Sequence, residues 1–101
     1  MEFILLINGF YDLICAFNIQ LTFSEQLKKL HYDLFDDPNK NNITIMLIYF
    51  AISRLSLNRK LAFISYIAEA FILYIYGKKN NNKVYFTIAF SLLLAYITIF
   101  S

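Results

Sequence analysis

The sequence predicts an all-α membrane protein: a polytopic four-helix bundle with a short amphipathic interfacial helix between the first two spans. Of its 101 residues, 59% are hydrophobic and 16% are charged, against about half and about a quarter in an ordinary soluble domain. A chain this short is one domain (1–101) and buries only about two-thirds of its surface, so lipid must cover the excess. Four apolar stretches would form the spans, at about residues 3–23, 43–57, 60–77 and 84–100.

The first span, residues 3–23, has its polar side chains on one stripe. At 100° per residue, that stripe is about 120° wide and contains Asn8, Tyr11, Asp12, Cys15, Asn18 and Thr22. In lipid, such a stripe packs against partner helices. The acidic Glu2 and the interruption by Asp12 are atypical of a cleaved signal peptide, so we expect this segment to remain in the mature chain.

The next segment, residues 24–35, is predicted to be the interfacial helix. Ser24 is a suitable N-cap, and Leu27, Leu30 and Leu34 recur at helical spacing. Such an amphipathic helix rests in the plane of the membrane interface. Pro38 and the Asn-rich residues after it then form a loop.

The remaining spans are connected by short polar turns. Residues 43–57 number only 15, about 22 Å of helix against a hydrocarbon core of about 30 Å. Between Lys60 and Lys78 the one charged residue is Glu69, near the middle of an otherwise apolar run, and Gly77 is a suitable residue to end that helix. Residues 84–100 close the bundle.

The loops have an uneven distribution of positive charge, which predicts an orientation. One side of the predicted topology collects six lysines, namely Lys28, Lys29, Lys40, Lys78, Lys79 and Lys83, whereas Arg59 and Lys60 lie on the other. The lysine-rich side is therefore predicted to be cytoplasmic and both termini non-cytoplasmic. The short spans would suit a thin bilayer such as that of the endoplasmic reticulum.

A buried polar cluster is predicted at the middle of the bundle. Asp12 and Glu69 each lie about nine residues from the same membrane face, roughly 13 Å deep, and Arg54 and Asn8 lie somewhat nearer that face. A long arginine side chain directed inward would bridge both acids, since pairing removes most of the cost of burying a lone charge. We therefore predict an Asp12–Arg54–Glu69 cluster with Asn8 as a neutral partner.

Several kinds of binding site are not expected. The net charge of +2 is too small for nucleic-acid binding. A single histidine, His31, and a single cysteine predict no metal site, and no glycine-rich loop indicates a phosphate-containing cofactor. His31 is expected to be an interfacial side chain on the opposite side of the bundle from Arg54.

The favoured function is that of a non-catalytic scaffold or accessory subunit in the lipid bilayer, in contact with other membrane proteins or with itself. One alternative is a binding protein for a sterol or other lipid-like ligand, or an isomerase with Asp12 or Glu69 as general acid. A second is a channel-like oligomer. A pocket at the level of Asp12 and Glu69 would favour the ligand-binding class, whereas a packed interior would exclude it.

From Ala51 onward the chain resembles the small sterol-biosynthesis scaffold proteins of the endoplasmic reticulum. In that family a second membrane helix ends in Arg, and a third contains a Glu followed by an aromatic residue and Tyr-Gly. The matching residues here are Arg54, Glu69, Phe71 and Tyr76-Gly77, with different spacing. The resemblance covers about half of the chain and implies a scaffold role there. The abundance of Asn, Lys, Ile, Tyr and Phe is typical of an AT-rich genome, such as that of a protist or a large DNA virus.

Overall fold

The structure, a computed structural model, describes residues 2–100, so Met1 and Ser101 lie outside it. The described residues form five helices and no β-strand, which confirms the all-α prediction. The helices are α1 (Glu2–Leu21), α2 (Glu25–Tyr32), α3 (Lys40–Leu55), α4 (Arg59–Tyr76) and α5 (Asn82–Phe100). Each predicted segment corresponds to one helix.

Side-chain caps determine where the middle helices begin. Ser24 Oγ accepts a hydrogen bond from the backbone N–H of Leu27 at 3.3 Å, as its sequence position predicts. Asn39 accepts from the first turn of α3, and Asn58 accepts from the first turn of α4. These caps satisfy backbone donors that have no partner inside the helix. Because of the Asn39 cap, α3 begins three residues before the predicted span.

The helices pack in pairs around two apolar cores. α1 packs against α3, α4 packs against α5, and fewer contacts join α3 to α4 and α2 to α1. One core includes Cys15, Ile19 and Leu73. The other includes Leu5 and Tyr66. The longest dimension of the molecule is 34 Å, close to the thickness of a hydrocarbon core of about 30 Å.

Backbone hydrogen bonds join the loop after α2 to the turn after α4. The N–H of Asp36 donates to the carbonyl of Tyr76 at 3.2 Å, and the N–H of Lys78 donates to the carbonyl of Leu34 at 2.9 Å. The α2–α3 loop and the α4–α5 turn therefore lie at one end of the molecule. The predicted topology also puts these two connections on one side, the side with most of the lysines.

Two helices, α1 and α5, are long and apolar enough to cross a membrane. By the same measure α3 is too short, at 16 residues, and α4 contains three charged residues, Arg59, Lys60 and Glu69. The surface is apolar on several faces: Phe3, Phe86 and Phe100 are 73%, 71% and 73% exposed. An exposed apolar surface of this kind marks contact with a membrane or with another protein.

Gly9 permits the close approach of α1 to α3. A Cβ atom at this position would lie 2.6 Å from Leu55 Cγ and 3.2 Å from the backbone nitrogen of Leu55. We expect Gly9→Ala to destabilise the protein by about 1 kcal/mol. Relief of the overlap costs about 1–3 kcal/mol, and the greater helix propensity of alanine offsets up to about 1 kcal/mol.

Thermal unfolding in detergent, followed by circular dichroism, measures this effect. Ala89→Val is the matched control because it adds methyl groups at an exposed position of α5. Equal melting temperatures for the Gly9 variant and the unmodified protein would show that the α1–α3 contact tolerates the extra atom.

Candidate functional site

Arg54 lies in the last turn of α3. Its guanidinium donates hydrogen bonds to side chains of two other helices, α1 and α4. Arg54 is 1% exposed. Its Nη1 donates to Asp12 Oδ2 at 2.5 Å and to Asn8 Oδ1 at 2.8 Å. Its Nη2 donates to Glu69 Oε1 at 2.7 Å, and its Nε donates to Ser65 Oγ at 3.0 Å. We call these five residues the Arg54 cluster.

The structure thus brings together all four residues that the sequence singled out. Asn8 and Asp12 come from the polar stripe of α1, and Glu69 comes from α4. Arg54 points inward, and its charge does not reach solvent at the end of α3. The remaining member, Ser65, was not named as a site residue, although it lies four residues before Glu69 on the same helix face.

Two aromatic rings also contact the guanidinium of Arg54. Arg54 Cζ lies 4.0 Å from the ring centroid of Tyr66 and 4.8 Å from that of Phe50. A desolvated cation over an aromatic face is stabilised by about 2 kcal/mol. Phe50 precedes Arg54 by four residues, so their shared helix face was readable from the sequence. Tyr66 could be identified only from the packing of α4.

A groove of about 890 Å³ lies beside the Arg54 cluster, and α1 and α5 form its walls. We call it the α1–α5 groove. Leu47 and Leu73 lie at its base, and aromatic side chains of α5, including Phe86 and Phe90, line one wall. The acids Asp12 and Glu69 also border it. The Glu69 side chain is 24% exposed and that of Asp12 7%, so Glu69 is the more accessible acid.

His31 also lines the α1–α5 groove, and its predicted position away from the polar cluster is wrong. Its ring centroid lies 6.4 Å from that of Tyr11, which places the last turn of α2 beside the middle of α1. The sequence did not indicate this position because it depends on how the chain turns after α1.

The hydrogen bonding of His31 fixes the roles of its two ring nitrogens. Nδ1 lies 3.1 Å from the carbonyl oxygen of Leu27, which can only accept, so Nδ1 bears the proton. Nε2 is then an acceptor in the neutral ring. Burial lowers the pKa of His31 below its ordinary value, although the Leu27 carbonyl and the charge of Glu69 oppose the shift. The ring is therefore neutral at pH 7.

The polar side chains at the edge of the α1–α5 groove include the two acids of the Arg54 cluster. Within residues 2–100, no group of three or more His, Cys, Asp or Glu side chains is arranged for metal binding. The acids of the Arg54 cluster are hydrogen-bond acceptors at the edge of an apolar groove. Such a combination orients one end of a mostly apolar molecule.

Comparisons of the chain with protein-family models, with curated proteins and with solved structures found no match. The resemblance to the sterol-biosynthesis scaffold family therefore stays a prediction. The function has to be argued from the site itself.

Proposed function

We propose that this chain is a multi-pass membrane protein that binds a lipid-like amphiphile in the α1–α5 groove. One observation carries the proposal: an apolar groove of about 890 Å³ borders two acids of a buried ionic cluster. Ligand sites in proteins commonly have volumes of about 300–1,000 Å³, apolar walls and a few polar groups that fix orientation. A packed interior at Asp12 and Glu69 would have excluded this class.

The proposal includes four membrane-spanning helices, with α3 and α4 in addition to α1 and α5. The charge of Glu69 in the middle of α4 is paired with Arg54 of α3, so neither of these two residues presents an isolated charge to lipid. Charged groups inside membranes face protein interiors in this way. We place the end formed by the α2–α3 loop and the α4–α5 turn on the cytoplasmic side, because most of the lysines lie there. The thin endoplasmic reticulum membrane would suit these helix lengths.

The scaffold role and the ligand-binding role use different surfaces. A scaffold would use exposed apolar faces, such as those around Phe3 and Phe100, and lipid covers such faces equally well. The groove and its acids, by contrast, have no purpose in a scaffold beyond helix packing. No comparable observation favours an isomerase or a channel-like oligomer, so ligand binding is the first proposal.

Photo-crosslinking with a groove-filling variant tests this function. The purified protein in nonionic micelles is labelled with a photoactivatable sterol and with a photoactivatable long-chain alcohol, and the labelled residues are mapped by mass spectrometry. Thr87 lines the groove, so Thr87→Phe should reduce labelling about tenfold, equivalent to about 1.4 kcal/mol of binding energy. Ala89→Phe, on the exposed face of the same helix, is the matched control and should label normally.

The possible results separate the proposed functions. Ligand binding would be supported if groove residues are labelled in the unmodified protein and in Ala89→Phe and this labelling falls about tenfold in Thr87→Phe. Equal labelling of both variants, or labels confined to the outer faces, would overturn it. Co-purification of a membrane enzyme without any groove labelling would instead establish the scaffold role.

A further inference from the structure

We infer that the α1–α5 groove selects an amphiphile whose head group is a protonated amine. This inference rests on the proposed function and adds the chemical class of the ligand. Three features of the site indicate an amine: the formal charge of the Arg54 cluster, the acceptor atoms that border the groove, and the lack of a nearby cation among the described residues.

With both carboxylates ionised, the Arg54 cluster has one formal negative charge in excess. It contains two carboxylates, Asp12 and Glu69, and one guanidinium, and its other members, Asn8 and Ser65, are neutral. Arg54 makes four hydrogen bonds within the cluster and is 1% exposed, so it is not available to an added anion. An uncompensated negative charge that water reaches only in part, as at Glu69, favours a cation beside it.

Acceptor atoms without hydrogen-bond partners border the groove. Among residues 2–100, Glu69 bonds through Oε1 alone and Asp12 through Oδ2 alone. His31 bonds through Nδ1, which leaves Nε2 without a hydrogen-bond partner, although the residue is only 9% exposed. These three side chains come from three different helices, and all of them line the same groove.

The protein does not supply the missing cation. His31 is neutral because its burial lowers its pKa. Within the described part of the chain, the other basic residue that lines the groove is Lys83, which is exposed in the first turn of α5. Lys83 follows the turn at Gly77, whereas Glu69 lies eight residues before that glycine, about 12 Å along α4. The lysine therefore lies at the end of the groove, in reach of water.

A primary ammonium group complements this arrangement in both charge and hydrogen bonding. It brings one positive charge and three N–H donors, which match one excess negative charge and three acceptor side chains. An alcohol brings a single donor and no charge, and a fatty acid brings a second negative charge. The apolar chain of the amphiphile would lie along Leu73 and Phe90 in the groove.

Competition among three matched amphiphiles tests the inference. A primary alkylamine, the corresponding alcohol and the corresponding carboxylic acid, all of one chain length, compete with the photoactivatable alcohol for labelling in nonionic micelles at pH 7. We expect the amine to compete about tenfold better than the alcohol, equivalent to about 1.4 kcal/mol, because hydrogen bonds to charged groups are stronger than neutral ones. The acid should compete least.

Glu69→Gln shows whether the excess charge causes the preference. Glutamine keeps the shape of the side chain and an oxygen that accepts from Arg54, while the cluster becomes neutral overall. The advantage of the amine should then disappear and competition by the alcohol should persist. Glu2→Gln, at the exposed start of α1, is the matched control and should keep the preference. Asp12→Asn is a second neutralising variant, and circular dichroism establishes that each variant is folded.

The outcomes distinguish this inference from the function on which it rests. Equal competition by the amine and the alcohol in the unmodified protein would overturn the amine preference and leave groove binding intact. An amine advantage that survives both Glu69→Gln and Asp12→Asn would also overturn it, since partition of amines into micelles would then be the cause. Failure of all three amphiphiles to displace groove labelling would overturn the proposed function as well.

Discussion

Arg54→Met is expected to destabilise the folded protein by about 3–5 kcal/mol, the usual cost of removing one partner from a buried ion pair. Methionine keeps an unbranched apolar stem but is shorter than arginine and removes every donor. In the unmodified protein, Asp12 and Glu69 bond to the same guanidinium. In the variant they would share a site without a counter-ion. Most of the destabilisation arises from the two unpaired acids and not from the lost contacts of the arginine stem.

Unfolding in mixed micelles with increasing sodium dodecyl sulfate, followed by circular dichroism, measures this loss. Arg59→Met is the matched control, since Arg59 is exposed at the start of α4, and its unfolding midpoint should stay near that of the unmodified protein. Arg54→Lys should be intermediate, because a lysine keeps the charge but cannot direct donors to two carboxylates and an amide in fixed geometry.

Neutralising both acids together should rescue the arginine variant. In a triple variant, Asp12→Asn and Glu69→Gln accompany Arg54→Met, so no charge remains in the Arg54 cluster. Replacement of a whole buried ionic group by neutral residues is often close to neutral for stability. We therefore expect the triple variant to regain most of the stability that Arg54→Met loses. If Arg54→Met unfolds at the same midpoint as Arg59→Met, the cluster does not stabilise the fold.

The polar cluster was predictable from the sequence because helices have a fixed rise per residue. Counting residues from the ends of the apolar stretches placed Asp12 and Glu69 at one depth, and a buried acid needs a partner. Arg54 was the one basic residue that lay inside a predicted span and not at its first position. The Ser24 cap was readable for a similar reason, since a serine before an amphipathic run has a defined bonding role.

The position of His31 and the groove itself were not predictable in this way. α2 turns back beside α1 after Thr22, whose φ of 51° is unusual for a β-branched residue. The conformational preference of threonine does not predict this positive φ. Contacts between residues further apart in the sequence hold it. The groove is the space between α1 and α5 that side chains leave unfilled. Its presence depends on the distance between these two helices, which residue spacing along one helix does not predict.

Asn18→Leu is expected to destabilise the protein by about 2–3 kcal/mol and to loosen α2. Asn18 is fully buried, and its side chain bonds both backbone groups of Ser24. Its Nδ2 donates to the carbonyl of Ser24 at 2.9 Å, and its Oδ1 accepts from the N–H of Ser24 at 2.7 Å. Leucine is also branched at Cγ but leaves both backbone groups of Ser24 unpaired, at about 1–3 kcal/mol for each one that water does not reach.

The effect should reach the groove, because these two bonds hold the turn that places His31. Hydrogen–deuterium exchange in micelles should show faster exchange in α2, with little change in α5, and amphiphile labelling should weaken. Asn41→Leu is the matched control, since Asn41 is exposed and makes only a 3.4 Å contact with Gln20 through its side chain. Unchanged exchange in α2 of Asn18→Leu would show that packing against α1, and not the Asn18 bonds, fixes the helix that lines the groove.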